Sequence, residues 1–547
     1  MSGQPAEPSD RRSQDALRAA LRDWRQAIGA EHIHTDRSSL ERFGTATYPT
    51  HREIAAVILP ADQEQLRDCL RIASRHRVPL YPVSTGKNWG YGSATPPAGD
   101  CVLMPLSRLN RILDYDDELA HVTVEPGVTQ RQLHAFLAEK GGRHLAGFTG
   151  STPDSSLVGN VLERGLGHGR YGDRCAHVCA FEAVLATGET LRTGFSRYPG
   201  AVTGPLHRWG VGPWLDGLFT QSNLGVVTRM TLWLTPVPGH FDTFRFTLGD
   251  DRSTLDRVLD AVRRLRMAGV LDAGFVIAND VRAIAARQRY PWGEAGDRTP
   301  LSPDLRRRLR HRWGVGAWNG DGVLHAVDDR HGAELRRIVT EALGPHVERL
   351  SFEGDSDLGG EGGSAAAAYC APSETGLAMA YWRLRDTPGH AALPRLPPGG
   401  ADLDRDGCGL IWVCPVVPLN GRHVAAAVDA VERVTQAHGF EANIGLNSVS
   451  ERAVVATTAL AYDRSVPGED ARAMRCDDEL ERQLNELGYP PYRMSTRSME
   501  APPLGDDDLP AVLGRLKHAM DPAGVLAPGR YEFRRAPRPG SACSDST

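Results

Sequence analysis

Lysine is almost missing from this chain. Of its 63 basic residues only Lys87, Lys140 and Lys517 are lysine. With abundant alanine and glycine, that scarcity points to codon bias and not to chemistry. There is no excess of positive charge either. The formal net charge is −5, so neither nucleic acid nor an anionic membrane surface is an expected partner. No apolar run approaches the roughly 20 residues of a membrane span. The polar stretch Met1–Asp23 lacks the apolar core of a secretory signal, so a cytoplasmic location is expected. The nine cysteines are scattered and odd in number, which suits reduced thiols. Cys175 and Cys179 form a Cx3C pair, but no second ligand pair stands near them, so no metal centre is expected.

What is present bounds the fold. A length of 547 residues exceeds one hydrophobic core and predicts two or three domains. Hydrophobic residues at 41% and charged residues at 24% fit a soluble globular protein. A helix is expected over Gln14–Ile28. A strand at Ile54–Leu59, an amphipathic helix at Gln63–Arg75 and a strand at Val78–Val83 follow. Short strands come next, at Val102–Met104 and Ala120–Val124. A helix is expected over Gln130–Lys140, a hairpin around Thr187–Glu189 and a strand at Val226–Leu234. A second α+β region begins near Phe241. Helices are expected there at Ser253–Ala268, Leu335–Leu343, Val424–His438 and Ala471–Leu487, with a strand pair in Ile444–Ala461. Gly354–Ala368 reads as a surface loop, and a short helix is expected at Leu509–Met520. No internal repeat is seen.

Glycine marks the candidate sites. The second strand opens into Ser84-Thr85-Gly86-Lys87-Asn88-Trp89-Gly90-Tyr91-Gly92. Glycines permit positive φ, so successive N–H groups can converge into an anion-binding nest. The segment is neither a Walker loop nor a GxGxxG turn, and an ordinary connecting loop reads equally well. A second cluster runs Gly159-Asn160 through Gly165, Gly167 and Gly169 to Tyr171-Gly172. That is too much glycine for a helix or strand interior, and it suits close approach of backbone to a flat ligand. A third segment spans Asp216–Thr228 and includes Asn223, Gly225 and Val226.

Taken in order, TGKNWGYG, VEPGVT (Val124–Thr129), VGNVLERGLGHGRYGD (Val158–Asp173) and LDGLFTQSNLGVVT (Leu215–Thr228) resemble the FAD-binding domain of the vanillyl-alcohol oxidase / 4-cresol dehydrogenase family. PYR (Pro491–Arg493) and DPAGVLAPGR (Asp521–Arg530) also resemble that family and stand in its order. The resemblance covers about residues 50–535. It implies an α+β fold, in which a p-cresol methylhydroxylase-type FAD domain of two α+β subdomains is joined to an α+β substrate cap. The implied division is a tail and helix (1–45), the FAD domain (46–240), the cap (241–500), a segment returning to the FAD domain (501–535) and a disordered tail (536–547).

The resemblance places FAD against Ser84–Gly90 and the region Gly159–Gly172, close to Asn160, Gly165 and Gly225. Glu125-Pro126-Gly127 is expected as a tight turn beside it. It implies oxidation of a 4-alkylphenol or 4-hydroxybenzyl alcohol at the benzylic carbon, through a quinone methide. That chemistry needs a stabilised phenolate, whose free pKa is near 10. The matching residues are Tyr91, Tyr492 and Arg493, with Arg493 serving the phenolate or the N1–C2=O edge of the flavin. Arg530 matches a further basic residue. Glu451 matches an acidic residue of the cap, but the histidine that often follows it is replaced by Ala453 and Val454. At the acid/base position Ser151 matches without a gap, and Asp154 with a small one.

The stretch that tethers flavin covalently in many relatives is Asp406–Trp412. It holds neither histidine nor tyrosine, and Leu410 matches the tethering position, so FAD is expected to be non-covalent, with a thioether from Cys408 as the alternative. Expected partners are a phenolic substrate, oxygen or a redox protein as electron acceptor, and a second copy of the chain. The rival readings are oxidation of a non-phenolic alcohol or hydroxy acid, and a flavin-binding electron-transfer subunit without turnover of its own.

Overall fold

The side-chain carboxylate of Asp62 accepts from Gln65 N–H to start the helix Gln63–His76, and Arg77 ends it in the left-handed region at φ 55°. The helix buries Leu66, Cys69, Leu70, Ile72 and Ala73 against the first of the larger sheets. The structure, a computed structural model, describes residues 8–50, 52–354, 365–385, 400–448, 450–500 and 507–532. Strands β1 (Ile33–His34), β2 (Ile54–Ile58), β3 (Leu80–Val83) and β4 (Cys101–Pro105) make that first sheet in the order β1-β2-β4-β3. β2 and β3 both run parallel to β4. The free edge of β3 is closed by the C-terminal segment, where Leu80 N–H donates to Val525 O (2.8 Å) and Ala527 N–H to Leu80 O (2.8 Å). An edge strand with unpaired groups is thereby covered, and Arg530 is carried towards the end of β3.

The second sheet is antiparallel, built from β5 (Ile112–Asp116), β6 (His121–Val124), β8 (Val178–Val184), β9 (Thr190–Arg192) and β10 (Val226–Trp233) in the order β5-β6-β10-β8-β9. β7 (His144–Leu145) and β11 (Thr235–Pro236) pair separately beside it.

The third sheet has eight strands. They are β12 (His240–Leu248), β13 (Phe275–Asn279), β14 (Trp318–Ala326), β15 (Arg349–Gly354), β16 (Cys408–Val413), β17 (Val416–Pro418), β18 (Asn443–Ser448) and β19 (Ala453–Asp463). They lie in the order β15-β12-β14-β13-β18-β19-β16, with β17 also on β19. Helices Arg252–Met267, Asp329–Leu343 and Gly421–Ala437 bury their apolar stripes on one face of this sheet, with Phe244, Phe246, Ile277 and Ile444 beneath them. Successive strand side chains point to opposite faces. Ile411 and Val413 therefore enter that core, while Trp412 faces the other way into a cavity.

Two strands escape the sequence pattern because glycine interrupts them. In β14, Gly320 and Gly322 lie opposite Phe246 and Phe244. A Cβ at either would stand 2.1 Å or 2.6 Å from the partner ring. In β16, a Cβ at Gly409 would meet the Tyr462 ring at 2.4 Å. Aromatic rings of the neighbouring strand lie over all three glycines, an arrangement that stabilises glycine-bearing strands. The helix expected from Leu335 begins earlier, at Asp329, because Asp328 caps it through His331 N–H. Of the loop expected over Gly354–Ala368, Gly354 closes β15, Ala365–Tyr369 is helical, and 355–364 lie outside the described residues. The expected tail at 536–547 is also outside them. No helix among the described residues is long and apolar enough to cross a membrane.

Candidate FAD and substrate site

A cavity of about 630 Å³ opens where β3, the helix Leu157–Leu162 and the free face of the large sheet converge. Its first wall is the loop after β3. Ser84, Thr85, Gly86, Lys87, Asn88, Trp89 and Tyr91 line it. Among the described residues the N–H groups of Thr85, Gly86, Lys87, Asn88 and Trp89 make no hydrogen bond. Thr85 to Asn88 are half-buried and face the cavity, and phosphate oxygens can accept from amides left open in this way. Gly90 does not line the cavity. It stands at φ +78°, and a Cβ there would be 2.1 Å from Trp412 Cδ1, so it lets the indole in. Lys87 and Trp89 are more than loop residues. Lys87 Nζ meets Asp402 Oδ2 at 2.6 Å, and Trp89 Nε1 donates to Asp404 Oδ2 at 2.9 Å.

The second wall is the helix Leu157–Leu162, capped by Ser156 Oγ accepting from Gly159 N–H. Gly159, Asn160, Gly165 and Gly167 face the cavity, as do Asn223, Gly225 and Val226. A Cβ on Gly165 would fall 2.2 Å from Asn160 Nδ2, so that glycine seats the asparagine. Asn160 Oδ1 is buried without a partner and awaits a donor. Tyr171 and Gly172 are corrections. Tyr171 stacks on His177 with centroids 3.9 Å apart, and neither residue lines the cavity. Glu125-Pro126-Gly127 is a structural turn. Glu125 is buried against Arg111, and a Cβ on Gly127 would strike three carbonyl oxygens at 2.6–2.8 Å.

The third group is electrostatic. Tyr91 is buried, its hydroxyl donating to Cys414 Sγ at 3.1 Å. The Arg493 guanidinium lies 3.7 Å from the Tyr91 ring centroid and 5.9 Å from that of Tyr492. Arg493 also donates to Asn88 Oδ1, and its Nε is buried without a partner. Tyr492 is held at its backbone, its N–H donating to Cys414 O (3.1 Å) and its carbonyl accepting from Gln221 Nε2 (2.9 Å). Burial pushes both tyrosine hydroxyls above their ordinary value, against the opposing pull of Arg493. Burial works against charge on Arg493, but Tyr492, Tyr91 and Glu163 outweigh it and hold the guanidinium above its ordinary value. Arg530 donates to Glu163, to Tyr81 OH (3.2 Å) and to Ser222 O (3.1 Å). Burial raises Glu163, yet Arg530 and Arg493 prevail and keep it below the usual carboxylate range. Sequence reasoning missed Glu163 as the counter-charge of both arginines, although it stands inside the second glycine cluster.

At the acid/base position Ser151 lines the cavity, its Oγ accepting from Ser155 Oγ at 3.0 Å. Asp154 does not. It is exposed and paired with Arg131 at 2.9 Å. Glu451 is likewise off the cavity, in the turn between β18 and β19 and paired with Arg452 at 3.1 Å. The strands on either side of that turn send Asn447 and Thr457 inward instead, joined by a 2.9 Å hydrogen bond. Arg282, Trp412 and Cys414 complete this wall, and none of the five was foreseen. Leu410 and Cys408 are buried in an apolar cluster and do not line the cavity. Among the described residues no three metal-ligating side chains gather. Cys179 instead donates to Pro205 O at 3.2 Å.

A phosphate-ready loop, an orphaned asparagine and a cation-rich floor in a cleft closed by a large sheet define a flavoprotein site. The comparisons agree. Residues 54–194 match a family described as an FAD binding domain. The chain is 44% identical over 538 residues, 98% of the relative's length, to a 1'-carboxy-chondrochloren decarboxylase of Chondromyces crocatus. It is 28% identical to the 4-cresol dehydrogenase [hydroxylating] flavoprotein subunit of Pseudomonas putida, covering 96% of it. The crystal structure of p-cresol methylhydroxylase with substrate bound superposes with a TM-score of 0.84 at 27% identity, over 95% of this chain and 97% of that one. The chain belongs to the vanillyl-alcohol oxidase / 4-cresol dehydrogenase family of FAD-dependent oxidoreductases.

Proposed function

We propose that this protein oxidises the benzylic carbon of a para-substituted phenol, using FAD as the oxidant. The observation that carries the reading is the convergence of Tyr91, Tyr492 and Arg493 on one wall of the cavity. In this reading residues 46–240 and the returning segment 501–535 hold FAD, and 241–500 cap the substrate. Bound FAD supplies the two-electron acceptor for the benzylic hydride. The two tyrosines keep their protons and act as hydrogen-bond donors to the phenol oxygen. Arg493 keeps its charge and stabilises the oxygen as phenolate. Electron density pushed from that oxygen lets the benzylic hydride leave, and the substrate becomes a quinone methide. Arg530 is paired with Glu163 and fixes the floor beside Arg493. Ser151 offers a hydroxyl and no base. With Glu451 and Asp154 both pointing elsewhere, water addition to the quinone methide is left to solvent.

The reading extends to non-covalent FAD, because Leu410 and Cys408 are sealed in an apolar cluster. Oxygen or a redox protein would reoxidise the flavin, and the chain would act as a homodimer. The test is the anaerobic spectrum of the purified protein with 4-hydroxybenzyl alcohol, 4-ethylphenol and unsubstituted benzyl alcohol. Bleaching by the two phenols alone supports the reading. Bleaching by none, or by benzyl alcohol equally, overturns it. Acid precipitation should release the yellow colour to the supernatant, and colour left on the pellet would refute non-covalent binding.

A second reading is favoured by the 44% identical relative, which is named a decarboxylase. A carboxylate on the carbon next to the benzylic one would leave as CO2 from the quinone methide. The electron pair of the broken C–C bond would become the new C=C bond, and the ring would return to phenolate. Product mass after turnover separates a 4-vinylphenol from an alcohol.

A further inference from the structure

Among the described residues five charged side chains line the cavity, and four of them are cations: Lys87, Arg282, Arg493 and Arg530, against Glu163. Three of the cations already have work. Lys87 is paired with Asp402, Arg530 with Glu163, and Arg493 attends the tyrosines. Arg282 is left over. It stands in the first turn of the short helix Asp280–Ala285 that follows β13, and its guanidinium rests over the Trp412 ring at 5.5 Å. Among the described residues its side chain makes one hydrogen bond, a long one to Asn443 Oδ1 at 3.3 Å, and no carboxylate pairs with it.

The fold makes room for this arrangement. A Cβ at Gly445 would stand 2.9 Å from Arg282 Nε, so glycine there leaves room for the side chain along β18. Asn447 and Thr457 hold each other beside it and supply no counter-charge. Desolvation lowers the guanidinium to about 10, as burial without an anion does, yet it remains charged at neutral pH. A half-buried guanidinium that faces the cavity with no carboxylate beside it is placed for an anion that arrives with a ligand. The phosphates of FAD do not account for it, because the phosphate-ready amides lie in the loop after β3 and not on this strand wall.

We propose that Arg282 receives a carboxylate carried on the para substituent of the substrate. This rests on the phenol-oxidation reading and adds a second anionic pole to it. Trp412 stands between the poles, with its indole against Gly90 beside Tyr91 and its ring face under Arg282. The guanidinium fork matches a carboxylate in plane and can bind both oxygens.

The test compares 3-(4-hydroxyphenyl)propanoate with 4-ethylphenol, which share the phenol and benzylic carbon and differ in the carboxylate. Calorimetric affinities are measured on FAD-loaded wild type, Arg282→Leu and Arg282→Lys. The acid should bind wild type about 10- to 100-fold more tightly than the neutral phenol, the range of charge-assisted hydrogen bonds. The preference should vanish in Arg282→Leu and partly return in Arg282→Lys. Equal affinities in wild type, no binding of the acid, or a preference that survives in Arg282→Leu would each overturn the proposal. If Arg282→Leu loses its flavin, Arg282→Gln takes its place. Bleaching is recorded in the same titrations. If neither compound bleaches the flavin, phenol oxidation falls, while the affinity ratio still judges Arg282.

Discussion

Arg493 has an unusual set of neighbours: two tyrosine faces, the Asn88 amide and the field of Glu163. None of these groups titrates between pH 6 and 9, because burial keeps both tyrosines protonated and Arg493 stays charged. On the phenol-oxidation reading, the ionisation visible in that window is the substrate's own. A nearby cation favours the charged form of the phenol, so its apparent pKa should fall below the free value of about 10. Anaerobic flavin reduction by 4-ethylphenol should rise with pH and level off below that value. In Arg493→Gln the plateau should slow by about 10² to 10³, the cost of one preorganised electrostatic donor, and the inflection should move back towards 10. An unshifted inflection would remove Arg493 from the phenolate role. Tyr91, Tyr492 and Arg493 were legible in the sequence because each sits in a motif of fixed order. Arg282, Asn447 and Thr457 were not. They lie in or beside ordinary strands, and only the pairing of β13, β18 and β19 brings them to one wall. Glu451 was misplaced for a related reason. It lies past the end of β18, where the chain turns into solvent.

One strand–helix–strand unit was legible in the sequence, whereas β14 and β16, where glycine breaks the pattern, were missed, as were the short strands β5, β13 and β15. The strand–helix–strand unit from Ile54 to Val83 shows apolar alternation and a capping aspartate, and it forms within a few residues of expectation. Strands β14 and β16 carry glycines whose partners are rings on other strands, which sequence alone does not reveal. Gly90 shows what such contacts are worth. At φ +78°, with a Cβ 2.1 Å from the indole, alanine would be strained twice, in its backbone and against Trp412. Gly90→Ala should cost about 1–3 kcal/mol, lowering the melting temperature and weakening FAD retention together, because Trp412 and the phosphate-ready loop move as one. Gly99→Ala is the control, since a Cβ there meets nothing within 4 Å. Equal melting temperatures and flavin contents for the two variants would show that Trp412 yields at no cost.

At the scale of the whole molecule, the cavity depends on the large sheet staying closed over the loop after β3. That seam is polar. Asp404 is its centre, accepting from Trp89 Nε1 at 2.9 Å and from Ser93 Oγ at 2.7 Å, with the Lys87–Asp402 pair beside it. Burial raises the Asp404 carboxyl to about 6, against the pull of its two hydrogen bonds. An acid whose folded pKa exceeds its unfolded value of about 3.9 binds its proton more tightly when folded. Its contribution is therefore greatest at low pH and is lost as pH rises from about 4 to about 6. Above that window the seam holds a buried charge that both hydrogen bonds must support. Asp404→Asn keeps the shape and one acceptor oxygen without the charge. Its melting temperature, taken relative to wild type, should climb between pH 4 and pH 7 and then stay level. Asp404→Ala, which leaves Trp89 Nε1 and Ser93 Oγ without their acceptor, should melt lower than wild type across the range and lose FAD more readily on dilution. A flat difference between Asp404→Asn and wild type would mean that the carboxyl ionises freely, and that closure rests on Lys87–Asp402 and the apolar contacts of Trp89.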